Sequence, residues 1–371
     1  MPGFGGQLDG IRIIEFEGLG PTPFAAMMLA DLGADVIRID RRTGPEVSAG
    51  NAALDALNRG RPSIALDLKD ENDRAIALGL IDRADAMIEG NRPGVMERLG
   101  LGPETCLTRN PALVYARMTG WGQSGPLADK AGHDINYIAQ AGVLHAMGPS
   151  DAPPPPPLNL VGDFGGGALF AVVGIVAALL RRTVTARGQV IDAAMIDGAA
   201  LLATQLHAWR AMGFWHDARE SNLLDGAAYF YRCYETADGG YLAIGAIEPQ
   251  FHAAMLRGFG FDPAEFPDQF DRASWRPRRE RLAARIATRT RDAWADIFAP
   301  IDACVTPVLS PAEAVIAPAN VSRGLFGEMM GQAVPAPAPR FAGHPRSRLR
   351  APDGRGASSA DILARWGLDR A

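Results

Sequence analysis

The chain is poor in cysteine, lysine and histidine, and it has no long apolar run. Its three cysteines, Cys106, Cys233 and Cys304, are far apart and odd in number. That spacing suits neither a disulfide framework nor a metal cage, and a reducing cytoplasm is the expected home. The six histidines show no HxH or HExxH spacing, which argues against a bound metal. Lys69 and Lys130 are the only lysines, so positive charge is nearly all arginine. A net charge of −5 leaves no basic field for nucleic acid. The longest apolar run, Ala168 to Leu180, is thirteen residues and too short to span a bilayer. It reads as a buried helix ending at Arg181 and Arg182. The first residues lack the basic and apolar regions of a signal peptide, and the closing Leu-Asp-Arg-Ala is no peroxisomal address.

What is present describes a globular protein. Hydrophobic residues make up 47% and charged residues 21% of 371, enough for a large core and more than one domain. Ile11 to Phe16 reads as a strand, Gly18 to Pro23 as a turn, Phe24 to Leu32 as a helix closed by Gly33, and Val36 to Asp40 as a second strand. This βαβ unit predicts a parallel sheet with right-handed crossovers. Ser63 to Leu68, Ala86 to Glu89 and Leu113 to Met118 continue the strands, and Glu71 to Arg83 is helical. Five prolines at 153–157 predict a stiff connector. Gly188 to Leu202 starts as a strand and continues as an apolar helix. After Gly226 aromatic residues cluster, and Asp238-Gly239-Gly240 before Tyr241 to Ile247 predicts a hairpin in a smaller α+β domain. Residues 276–298 read as helical, Cys304 to Val308 as a strand, 334–345 as a linker and Ser359 to Trp366 as a terminal helix.

Two segments thirty residues apart carry the chemistry. Gly-His-Asp-Ile-Asn-Tyr at 132–137 places His133 in a loop, and Gly-Asp-Phe-Gly-Gly-Gly at 162–167 places Asp163 before three glycines that would let a ligand approach the backbone. An imidazole and a carboxylate facing each other across a cleft can take a proton from one face of a carbon and return it to the other. Each also has a plainer role, His133 as a structural side chain and Asp163 as a helix cap. Glu248, after an apolar strand and before Pro249, suits a helix N-terminus, or it could orient the imidazole. Arg41, Arg92 and Arg98 stand at or near strand ends, where α/β sheets gather ligands and where forked guanidinium contacts hold phosphates. The turn Gly18-Leu19-Gly20-Pro21-Thr22-Pro23, with Asp40 downstream, partly matches a dinucleotide fingerprint. Its third glycine is missing, so nicotinamide binding is disfavoured.

Together these segments resemble the class III coenzyme A transferase superfamily and, within it, the racemases of 2-methylacyl-CoA thioesters. The resemblance runs through Gly18 to Arg41, Ile64 to Lys69, Asn91 to Gly100, Thr119 to Gln123, the 132–137 loop, Asn159 to Gly167, Gly245 to Phe251 and Cys304 to Val308. It implies an α/β fold: a Rossmann-like large domain from 1–200 with 330–371, a linker helix region at 201–225, and a small α/β domain with its return linker at 226–329. It also implies an interlocked homodimer in which Glu248 comes from the partner chain. Transferases of this superfamily use the aspartate matching Asp163 as a nucleophile, whereas racemases use it as an acid/base together with a histidine matching His133. The histidine loop and Glu248 favour the racemase, with transfer through Asp163 as the alternative. Expected acyl-CoA contacts are Arg41, Leu66, Asp67, Leu68, Lys69, Gly90, Asn91, Arg92, Arg98, Gly132, Asp134, Ile135, Asn136 and Tyr137. No metal or redox cofactor is implied, and coenzyme A enters as part of the substrate. Phe24, where relatives have a histidine, and Glu17 depart from the expected pattern.

Overall fold

Strands that carry apolar side chains on both faces need cover on both faces. Here β1 (Arg12–Phe16), β2 (Asp35–Arg41), β3 (Ser63–Leu66), β4 (Ala86–Glu89), β5 (Val114–Thr119) and β6 (Val190–Ala194) form a parallel sheet in the order β3-β2-β1-β4-β5-β6. Alternate residues feed opposite layers. Ile13, Val36, Ile88 and Val114 pack against α1 (Pro21–Asp31) and α6 (Leu169–Thr185). Ile14, Ile37, Met87 and Tyr115 pack against α2 (Glu71–Ile81) and the C-terminal helix Ser359–Arg365 with Trp366. The computed structural model describes residues 6–44 and 51–368. The chain divides into two compact units: Met1–Ala141 with Pro157–Leu202 and Pro318–Ala371, and Gly142–Pro156 with Ala203–Ala317.

Several elements differ from the sequence expectation for local reasons. Helix α1 begins three residues early, at Pro21, because a proline at the first helical position gives up an N–H that would lack a partner there anyway. A short helix α3 (Val95–Arg98) and a helix α4 (Pro103–Arg109) lie between β4 and β5, and α5 (Asp134–Gln140) follows β5. The apolar helix is longer than the run that announced it. Residues 160–168 wind as a wide π-helical segment that continues into α6 to Thr185, giving one 26-residue rod. Among the described residues it is the one helix long and apolar enough to cross a membrane, although 44% of its apolar window is buried in this unit. An exposed stripe of Leu169, Val173, Val176, Leu180 and Val184 runs along it. Helix α7 (Met195–Leu202) packs directly on the π-helical segment. A hairpin, Phe326–Met329 with Gln332–Pro335, reaches into the stretch expected to be linker.

The sheet is pinned by buried charge at its first three strands. Glu15 and Arg61 are both fully buried, with Arg61 Nε 3.2 Å from Glu15 Oε2. Arg61 also donates to the carbonyls of Pro23 and Leu57 and to Asn58 Oδ1. Removing either charge would strand the other in the core, at a cost of about 3–5 kcal/mol.

In the second unit β7 (Tyr231–Glu235), β8 (Tyr241–Gly245) and β9 (Val305–Pro307) form an antiparallel sheet. Helices α8 (Thr204–Ala211), α9 (Pro249–Gly258), α10 (Arg272–Ile286) and α11 (Arg291–Phe298) complete this unit's longer elements. The charged stretch 276–298 is therefore two helices, divided where Thr290 caps α11. Its core gathers Tyr229, Phe230, Leu242, Met255, Phe259, Trp275 and Trp294. His252 is buried among these rings with Nε2 2.6 Å from the Tyr229 hydroxyl, and burial and then Arg278 push its pKa down to about 4.

The folded pKa of His252 lies below its unfolded value, so its neutral form contributes stability in full above about pH 6.5, and that stability is lost as pH falls toward 4. Replacing His252 with Gln should flatten that part of the stability–pH curve by on the order of 2 kcal/mol. Urea titrations of both proteins from pH 7 to pH 4 measure it. Parallel curves would show that the imidazole is not the responsible group.

Candidate active site

In open α/β sheets ligands bind beyond the carboxyl ends of the strands, where strand order reverses, and here that point lies between β1 and β4. A cleft of about 670 Å³ opens there, and its lining brings together Arg41, Leu66, Asp67, Leu68, Lys69, Asn91 and Arg98. Gly90 and Arg92 flank Asn91 on the same loop. The Arg41 side chain is 72% exposed with its nearest acid, Glu17, 4.0 Å away. Lys69, Arg92 and Arg98 are exposed, and no carboxylate lies within ion-pair distance of them among the described residues. Arg41, Lys69 and Arg98 on the cleft wall, with Arg92 on the adjoining loop, suit a polyanion such as a nucleotide diphosphate.

The loops that carry these cations are braced from behind by residues to which sequence reading gave no such role. Arg42 pairs with Asp73 at 2.6 Å, and the other Asp73 oxygen accepts the Asp67 N–H at 2.7 Å. Buried Glu89 accepts the Asn91 N–H at 2.7 Å and pairs with Arg117. Glu17 accepts the Arg41 N–H. Asp40, the acid a dinucleotide site would need, is buried and committed: Arg38 holds both of its oxygens and the Ser63 hydroxyl donates to Oδ2. Nothing in the chemical types of Arg41 and Arg42 separates them in sequence; the partner Asp73 does.

Asp163 sits in the first turn of the π-helical segment. The glycines after it do not make room for a ligand, as the sequence suggested. A Cβ on Gly166 would stand 2.7 Å from the Ala199 nitrogen, one on Gly167 2.7 Å from Met195 Cγ, and one on Gly198 1.8 Å from the Gly166 oxygen. Gly166 with Gly198 lets the segment and α7 pack backbone to backbone, and Gly167 makes room for the Met195 side chain. The glycine that makes room at the carboxylate is Gly20, at φ 65°, where a Cβ would lie 2.9 Å from Asp163 Oδ2. Phe24 stacks on Phe164, centroids 4.3 Å apart, and so joins the first turn to the Asp163 segment. Beside them lies an apolar groove of about 880 Å³ lined by Leu19, Phe24, Met27, Met28, Leu54, Phe164 and Leu169 among others.

His133 is the N-cap residue of α5, exposed, with its backbone N–H donated to Asn136 Oδ1. Tyr137 anchors this loop. Its hydroxyl donates to the Gly132 carbonyl, its ring meets Trp121 edge-on, and a Cβ on Gly120 or Gly132 would strike it. Ile135 is exposed on the same turn. Asp134 turns inward, and its Oδ2 accepts the N–H groups of Gly162 and Asp163. The structure therefore brings His133, Asp134, Tyr137 and Asp163 into one electrostatic group. Arg92 reaches the same group, since its charge lowers the pKa of Tyr137 against the upward effect of burial. Burial, then the negative charge of Asp134, raises Asp163 to about 6, against smaller lowering by Asn159 and His133. A carboxyl group so tuned can both give and take a proton near neutral pH. Glu248 belongs to the second unit, exposed at the N-cap of α9 with Pro249 next.

An α/β sheet with a cationic cleft beside a tuned carboxyl group accords with the family match. The chain matches CoA-transferase family III over residues 8–356 and belongs to that family. It is 46% identical to the alpha-methylacyl-CoA racemase of Mus musculus over 333 residues, 89% of this chain and 86% of the mouse protein. It is 43% identical to that of Homo sapiens over 366 residues, 98% and 94% of the two chains. These similarities support an isomerase of this kind. Among solved structures, a CaiB/BaiF family protein from Brucella suis aligns with a TM-score of 0.82 at 26% identity, covering 98% of this chain and all of the other.

The crowding at Gly20 is testable. Gly20→Ala would place a side chain on a left-handed backbone and against Asp163, and should lower unfolding free energy by about 1–2 kcal/mol. Thermal and urea denaturation report the change. A variant as stable as the parent would mean that the turn does not need glycine there.

Proposed function

We propose that this protein inverts C2 of 2-methylacyl-CoA thioesters by 1,1-proton transfer through an enolate. His133 and Asp163 are the two acid/bases, one removing the C2 proton and the other reprotonating the opposite face. The observation that carries the reading is that the α5 loop bearing His133 is tied to the Asp163 segment by Asp134, whose Oδ2 accepts the Gly162 and Asp163 N–H groups, with burial and the Asp134 charge raising Asp163 to about 6. The thioester acidifies the C2 proton, so the protein needs only bases of suitable pKa and donors for the enolate oxygen. Gly162 and Asp163 cannot supply those donors, because Asp134 already takes their N–H groups. The N–H groups of Asp134 and Ile135, the first two of α5 beside His133, take that role, since Asn136 already donates to the His133 carbonyl.

The cleft cations Arg41, Lys69, Arg92 and Arg98 hold the phosphates of coenzyme A, and the groove around Phe24 and Phe164 takes the acyl chain. No metal or redox cofactor takes part. Glu248 orients His133 from the partner chain of an interlocked homodimer, as the family resemblance implies, and the exposed apolar stripe along α6 offers a face for that partner. Transfer of coenzyme A through an acyl-enzyme would need Asp163 as a free nucleophile. That alternative leaves His133 without a role, whereas a carboxyl group raised to about 6 by burial and the Asp134 charge suits a proton relay.

Proton NMR of a single-epimer 2-methylacyl-CoA in deuterium oxide tests this. The C2 proton signal should vanish as the other epimer appears. His133→Ala should slow exchange from one epimer by about 100-fold and from the other much less. No exchange by a folded protein that binds coenzyme A, or equal retention of both activities by the variant, would contradict the assignment.

A further inference from the structure

Behind Asp163 stands a second carboxylate that the proton transfer does not use. Asp134 is 4% exposed, and its Oδ2 accepts the Gly162 N–H at 2.6 Å and the Asp163 N–H at 2.7 Å. Its Oδ1 is buried with no hydrogen-bond partner among the described residues. Gly162 is a glycine for this contact, since a Cβ there would lie 2.9 Å from Asp134 Oδ2. Capping two amides does not require a charge, because Asn or Ser accepts the same kind of bond. A buried carboxylate set against another carboxylate is a costly way to cap a helix. The charge is therefore the informative part.

We propose that Asp134 is a positioning residue for the proton transfer, fixing Asp163 through its backbone amides and setting a negative charge behind it. The inference rests on the racemase reading and deepens it. Asp163 is faced by Asp134 and Tyr137 from α5, by His133 at the start of that helix and by Asn159 from its own segment. The α1 turn contributes Gly20, and α7 packs on the segment through Met195, Gly198 and Ala199. Asp134 is thus the anionic neighbour that opposes ionisation of Asp163 most strongly, consistent with the raised pKa. It makes Asp163 a stronger base when it accepts the C2 proton and keeps that proton available for return.

Two neutral variants, Asp134→Asn and Asp134→Ser, separate charge from capping. Carbon-13 NMR of the aspartate carboxyl groups, with Asp163 assigned by its absence in Asp163→Asn, should show its midpoint falling by about one unit in both variants. At pH 7 turnover should slow by about 10-fold, by the same factor in both directions because the epimer equilibrium is fixed, with KM within about two-fold, and the limb of the pH–rate profile that reports Asp163 should move down by about one unit. A purely structural role would slow turnover while leaving the carboxyl midpoint and the pH–rate profile unchanged, and that result overturns the proposal. Amide exchange on the parent protein covers the case in which neither variant folds: rapid exchange at Gly162 and Asp163 would overturn it as well. If the parent shows no epimerisation, the racemase reading fails, while the carboxyl titration still decides the role of Asp134.

Discussion

Two hydrogen bonds from neighbouring backbone N–H groups to one buried carboxylate hold the centre of this site together. Asp134 on α5 receives the N–H groups of Gly162 and Asp163, so the loop with the imidazole and the segment with the carboxyl group cannot move independently. The contact depends on close approach elsewhere. Gly166 and Gly198 let the π-helical segment lie directly on α7, and α7 follows straight from β6 at the sheet edge. A wide helical turn is less favourable than an α-helical one, and such turns recur at functional sites. Here it sets Asp163 at a fixed height beside Gly20.

The first turn after β1 separates two environments of opposite character. On one side, Phe16 and Glu17 border the cleft with Arg41, Lys69 and Arg98. On the other, Leu19 and Phe24 border the apolar groove. A thioester with a charged carrier and an apolar chain would lie across this turn, its reacting carbon near Gly20 and Asp163. Electrostatics suit the arrangement: exposed guanidinium groups gather on the carrier side, while burial and a like charge raise the carboxyl group. Phe24, which departs from the expected pattern, is explained by its stack on Phe164.

The strands were legible because alternate positions serve two different layers, as Ile13 and Ile14 do. Strand-end cations were legible for a topological reason: any parallel sheet of this kind opens there. The glycine triplet was misleading, since a glycine that meets a ligand and one that meets a helix backbone look the same in sequence. Gly162, Gly166 and Gly20 differ only in what their missing Cβ would strike. Asp40 and Arg42 stand beside residues of similar type, and only distant partners, Arg38 with Ser63 and Asp73, reveal them as braces. The long rod at 160–185 escaped because its first turns are glycine-rich and not α-helical. Glu248 was legible as an N-cap before a proline, whereas any role at a reacting centre depends on assembly, which residue spacing does not encode.

A crystal structure of the protein with a bound 2-methylacyl-CoA would test the central claim most directly. The account predicts C2 of the acyl group between the His133 imidazole and the Asp163 carboxyl group, about 3–3.5 Å from each and on opposite faces. A thioester carbonyl joined covalently to Asp163, or C2 with both groups on one face, would contradict it.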